Sequence, residues 1–192
     1  MSDFDFHNQN QLLVNPKIST EERSVLAELK NKFEENFGNT GYFLIASSGS
    51  SRKSDESVKL VALHCEKILN SARRFNQYFK VSDREHWGLV LPEFHVAGLG
   101  VKARAFLAGA RVFVQDWNAE KLVSWIQENK ISYISMVPTQ IFDLVQKNIR
   151  APDGIKKIFV GASALSKELY DAALRLNWPL AETYGMTETS SM

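Results

Sequence analysis

From Trp87 to Thr183 the chain repeats one rhythm, a short apolar run followed by a longer stretch whose apolar residues recur at helical spacing. The run Trp87–Leu91 precedes a helical pattern near 96–108, and Ala110–Val114 precedes one near 119–129 that puts Leu122, Trp125 and Ile126 on one face. Tyr133–Val137 leads into a helix opening after Pro138 with Ile141, Leu144 and Val145. Lys157–Val160 leads into one near 166–176, and Leu180–Thr183 closes the series. Strands that are apolar on both faces and separated by helix-length connections pair in parallel, because a parallel neighbour needs a long crossover and that crossover covers the sheet. The prediction is an α/β fold with a largely parallel sheet flanked by helices on both faces.

The part before Trp87 reads less regularly. Ser19-Thr20-Glu21-Glu22 offers a capping-box start to a helix with Leu26, Leu29, Phe33 and Phe37 on one face, and Gly38 is its stop. Tyr42–Ala46 reads as a strand. From about Lys59 a second helical pattern places Ile68, Ala72, Phe75 and Phe79 on one stripe and ends at "VSDRE". Residues 1–18 are polar overall and are expected to be a loosely ordered N-terminus, with residues 19–192 forming one α/β core. No internal repeat and no proline-rich linker divides the chain.

Composition narrows the partners. Lysine plus arginine number 23 against 22 acidic residues, a net charge of +1, which gives no electrostatic case for nucleic acid or a membrane surface. A small-molecule ligand fits better. The one cysteine, Cys65, has no partner for an internal disulfide and no companions at zinc-ligand spacing. The start "MSDFDFHNQN" lacks the basic and apolar segments of a signal peptide, and no apolar run approaches the roughly 20 residues a membrane span needs. The expectation is a soluble, cytoplasmic protein.

Chemistry is concentrated in loops that follow strands, where ligands collect in open parallel sheets. After Tyr42–Ala46 comes "SSGSSRKSDESVK", whose glycine allows close backbone approach and whose hydroxyls and cations suit phosphate oxygens. It is not a Walker loop, because Gly49 is followed by Ser-Ser-Arg-Lys-Ser with no second glycine. The alternative for such a stretch is a solvated loop. Three more segments follow in order: "LPEFHVAGL" from Leu91, "VGASAL" from Val160 and "ETYGMTET" from Glu182. No Gly-x-Ser-x-Gly elbow or His-Glu-x-x-His site is present, and His64 and Cys65, adjacent in the second helical pattern, face apart and make no nucleophile–base pair.

Taken together, "SSGSS", "LPEFHVAGLG", "VPTQIFDL", "VGASAL" and "YGMTETS" resemble the adenylate-forming (AMP-binding) superfamily of acyl-CoA synthetases, luciferases and peptide-synthetase adenylation domains, from about Tyr42 to the last residue. "HVAGLG", "AGARVFV" and "SMVPTQIFDLV" are most similar to its o-succinylbenzoate–CoA ligase branch, which serves menaquinone synthesis. The resemblance implies an ATP-dependent acid–thiol ligase that makes an acyl-adenylate and then a CoA thioester, with ATP, Mg²⁺ and coenzyme A as its cofactors and co-substrates and a small carboxylate as substrate.

Residue by residue, it implies that Ser47, Ser48, Gly49, Ser50 and Ser51 hold the ATP phosphates and that Lys59 is the lysine closing that motif. It further implies that His95 lines the acyl pocket near the reacting carboxylate. Gly161, Ala162 and Ser163 match the Gly-Gly-Ala turn beside adenine and acyl group, with alanine in place of the second glycine. Tyr184 matches the residue stacked on adenine, with Gly185 behind it. Thr187 matches the α-phosphate ligand and Glu188 the Mg²⁺ carboxylate. The family's ribose-binding aspartate and C-terminal lysine come after the point where this sequence ends, so the expectation is an incomplete large N-terminal domain, inactive as an isolated piece. The competing expectation is a non-catalytic nucleotide-binding or interaction module derived from such an enzyme. Oligomeric state is left open, a homodimer included.

Overall fold

The computed structural model describes residues 4–7, 9–47 and 59–189. Its central feature is a parallel sheet of β4 (His86–Leu89), β5 (Arg111–Val114), β6 (Tyr133–Met136), β7 (Lys157–Val160) and β8 (Leu180–Glu182), in the order β5-β4-β6-β7-β8. Each apolar run predicted from Trp87 onward is one of these strands, with ends shifted by no more than two residues. The helices between them are α3 (Val96–Ala108), α4 (Ala119–Glu128), α5 (Pro138–Gln146) and α6 (Lys167–Arg175). Local chemistry sets their ends. The Asn118 side chain accepts from the amides of Glu120 and Lys121, Ser166 does the same for Leu169, and proline opens α5, where its missing N–H costs nothing.

Side chains along the strands alternate between two apolar layers. Ile134, Met136, Ile158 and Val160 face α4, α5 and α6, while Trp87, Leu89, Tyr133 and Phe159 face the other way. The strand order reverses beside β4: α3 carries the chain outward to β5, and α4 brings it back across to β6. Such a reversal leaves a crevice at the carboxyl ends of the strands.

A second sheet was not foreseen. β1 (Gln11–Leu13) runs parallel to β2 (Tyr42–Ser47), and β2 pairs antiparallel with β3 (Lys59–His64). The expectation of helix from about Lys59 is therefore corrected. Residues 59–64 form a strand, and α2 (Cys65–Phe79) begins only where the His64 ring accepts from the Glu66 amide. The remaining expectation, a loosely ordered segment over 1–18, is corrected for its described part. Phe6 is buried against Phe43 and Phe106, and the Asn10 side chain bonds both the Gly38 carbonyl and the Tyr42 amide. In this region α1 (Thr20–Phe37) and the strand beginning at Tyr42 behave as read, α1 with the full capping box at Ser19 and Glu22.

Helices α2 and α3 lie between the two sheets. From α2, Ile68 and Ala72 join the small sheet's core while Phe75 and Phe79 pack on the large one; from α3, Leu99 and Ala103 face one side and Val101 and Ala105 the other. This double burial explains why α3 is apolar around its circumference rather than striped. No helix among the described residues is long and apolar enough to cross a membrane.

Candidate active site

A narrow cleft opens at the reversal. Leu91 after β4, Ala97 and Arg104 from α3, and Ser135, Met136 and Val137 from the end of β6 form one part of its wall. Phe159, Gly161 and Ala162 from the β7 end, with Thr183 and Gly185 after β8, form the rest. Three of the four strand-end segments predicted to converge therefore do so.

Two close approaches shape the walls. A Cβ on Gly98 would lie 2.4 Å from the Pro92 carbonyl oxygen, so the "LPEFHVAG" loop folds back over its own helix only because that position is glycine. A Cβ on Gly161 would lie 2.8 Å from Thr183 Oγ1, and Thr183 is held there by its amide and hydroxyl, both donating to the Val160 carbonyl. The next residue, Ala162, adopts φ 74°, left-handed backbone that disfavours a side chain. Strain of this kind is kept where a turn is fixed by its surroundings. Ala162→Gly is expected to stabilise the fold by roughly 0.5–1 kcal/mol, the left-handed relief less the entropy glycine gains on unfolding. A thermal melt checks it, and a lowered midpoint would contradict the strain assignment.

Charge in the cleft comes from a residue that the sequence reading missed. Arg104 is 5% exposed, and burial lowers its pKa to about 10, still high enough to keep the guanidinium charged at neutral pH. Its cation lies 3.8 Å over the Phe75 ring. Lys102, two residues earlier, is 7% exposed and pairs with Glu93 at 2.5 Å. The available signal was two cations inside "VAGLGVKARAFLA", an otherwise apolar helix in which buried charge demands a partner or a purpose.

The residues singled out in advance fall in three places. Gly161, Ala162 and Gly185 line the cleft, with Ser163 exposed beside them. His95 caps α3 without a side-chain capping bond, next to the Phe94 ring; part of the imidazole is open to solvent, yet desolvation of the rest holds its pKa below the usual value. Beyond β8, Tyr184 leaves 81% of its surface exposed, and Thr187 and Glu188 open a short 3₁₀ turn, Thr187–Thr189. Lys59, at the start of β3, donates to Glu188 Oε1 at 3.1 Å. A hydrogen bond from its own backbone N–H, then the Lys59 ammonium, holds the Glu188 carboxyl below the ordinary carboxylate range. Thus the start of β3 touches the segment after β8. Ser47 is the last residue of β2, while Ser48, Gly49, Ser50 and Ser51 lie outside the described residues.

No three His, Cys, Asp or Glu side chains gather as a metal cage among the described residues. One exposed carboxylate at Glu188 suits a hard cation that keeps waters and shares a substrate's phosphates, so the donor set fits Mg²⁺.

A family model described as AMP-binding enzyme matches residues 31–192. The chain belongs to that family. A 2-succinylbenzoate–CoA ligase of Staphylococcus aureus strain JH9 is 38% identical over 111 residues, 57% of this chain and 23% of the relative, and the strain Newman protein matches equally. The o-succinylbenzoate CoA synthetase of Bacillus subtilis in complex with the acyl-adenylate intermediate OSB-AMP superposes with a TM-score of 0.80 at 22% identity, over 95% of this chain and 45% of that one. The same enzyme in complex with ATP and magnesium ion gives 0.77 at 21%, over 94% and 45%. The chain thus spans about a quarter of the curated relatives and less than half of these two structures. Its α/β fold is that of the AMP-binding enzymes.

Proposed function

We propose that this chain is the adenylate-forming core of an acid–CoA ligase that activates o-succinylbenzoate. The observation that carries the reading is Arg104, a buried cation in the wall of a cleft made by the family's strand-end loops. An aromatic acid with a second carboxylate has a natural partner there, since a guanidinium fork takes a carboxylate through two parallel hydrogen bonds. The 38% identity to 2-succinylbenzoate–CoA ligases supports the same acid.

In this reading the side-chain carboxylate attacks the α-phosphorus of ATP; a P–O bond forms, pyrophosphate leaves, and the acyl-adenylate remains. The thiol of coenzyme A then forms the thioester and AMP departs. His95 sits beside the reacting carboxylate and Thr187 binds the α-phosphate. Tyr184 stacks on adenine, with Gly185 and the Gly161–Ala162–Ser163 turn beneath it. Ser47 to Ser51 and Lys59 hold the outer phosphates, and Glu188 holds Mg²⁺. The metal would neutralise phosphate charge, while the protein's part is positioning and fixed electrostatics. Such a core works in the cytoplasm on small molecules, as a monomer or a homodimer.

Carboxylate-dependent ATP–pyrophosphate exchange by the protein expressed from its full open reading frame tests the proposal. Exchange with o-succinylbenzoate, and not with benzoate or fatty acids, is expected. A folded protein that exchanges with none of them would instead be a binding module.

A further inference from the structure

We propose that Phe75 and Asn76 of α2 are positioning residues that aim Arg104 into the cleft and thereby set the preference for an acid with a second anionic group. The inference rests on the ligase function proposed above. Both residues act on Arg104 from the neighbouring helix, at two different points. The Phe75 ring lies 3.8 Å from the guanidinium carbon, and the Asn76 side-chain amide donates to the Arg104 backbone carbonyl at 2.8 Å. One contact fixes the helix register and the other fixes the side chain.

The geometry has a chemical consequence. Arginine carries five N–H donors in one rigid planar fork, and a carboxylate accepts from such a fork bidentately. A guanidinium carbon held 3.8 Å from a ring centroid is fixed in place, so the fork's position is set by the protein before any acid arrives. The ring also offers its electron-rich face to a cation that burial has stripped of water. Phe75 is itself held, edge-on to Phe159 at 4.7 Å and beside Phe79 at 4.6 Å, so the platform belongs to the core and does not drift with the ligand.

The test compares kcat/KM for o-succinylbenzoate with that for 4-oxo-4-phenylbutanoate, which keeps the reacting carboxylate and lacks the one on the ring. The enzyme is again expressed from its full open reading frame. Phe75→Leu should lower the diacid-to-monoacid ratio about tenfold, mainly through the diacid's KM, with the monoacid within twofold. Phe75→Tyr keeps a ring face and should hold the parent ratio. Asn76→Ala should lower it about threefold. Equal losses for both acids, or an unchanged ratio in Phe75→Leu, overturns the proposal; should that variant not fold, an unchanged ratio in Asn76→Ala does so. Arg104→Met separates the two levels. If it collapses the ratio and the α2 variants do not, the positioning role is wrong and the ligase stands. If the parent enzyme activates neither acid, the ligase reading itself falls.

Discussion

Arg104→Met is expected to cut kcat/KM for o-succinylbenzoate by about 30- to 1000-fold, since losing one side of a desolvated charge pair costs roughly 2–4 kcal/mol. The monoacid 4-oxo-4-phenylbutanoate should be used almost as before. Methionine is chosen because it fills a similar volume without the charge. A thermal melt recorded beside the kinetics separates lost recognition from lost folding. Arg104→Lys is not a conservative control: the ammonium keeps the charge but lacks the planar fork whose carbon lies 3.8 Å from the Phe75 ring centroid. Steady-state kinetics on both acids decide the matter, and equal losses on the two would place Arg104 in the scaffold rather than in the recognition of substrate.

Glu188→Ala should lower acyl-adenylate formation by at least about 10²–10³-fold at any accessible Mg²⁺ concentration, the range seen when one preorganised charge-stabilising group is removed. Folding should be untouched. The Lys59–Glu188 pair is exposed on both sides, and exposed pairs contribute little to stability. Pyrophosphate release in a single turnover, beside a thermal melt, checks both halves. Near-normal turnover would remove Glu188 from the metal site, whereas a large drop in melting temperature would make the pair a structural tie between β3 and the segment after β8.

Legibility in the sequence followed how local each signal is. The β/α alternation from Trp87 to Thr183 is written in runs of four or five residues with caps nearby, so both the five strands and their order of appearance could be read. Lys59–His64 could not. "KLVALH" is a short run that either state accepts, and the stripe of Ile68, Ala72 and Phe75 downstream drew it into the helix. What settles it is pairing with Tyr42–Ser47, a contact that no window of neighbouring residues contains. β1 is harder still, three residues whose order depends on Phe6 reaching Phe43 and Phe106.

The candidate site divides in the same way. Gly161, Ala162 and Gly185 were found through motif resemblance, and they do line one cleft. Arg104 lies outside the quoted strings' expected roles, and only the burial of α3 from both sides reveals it as a charge in the cleft wall. The left-handed φ of Ala162 was equally invisible, although it accounts for the glycine expected at that position.

The lone thiol offers an unplanned gauge. Cys65 begins α2 with 2% of its surface exposed; its amide is bonded to the Gly41 carbonyl, and burial pushes its pKa up to about 11. Alkylating reagents attack the thiolate, so at neutral pH the closed molecule should be silent toward them. Labelling can advance only during excursions in which the small sheet parts from α2, and its slow clock would count those openings. With no other cysteine in the chain to confuse the signal, one reagent and a mass spectrometer would measure how often the two-sheet sandwich breathes, and whether nucleotide or acid quiets it.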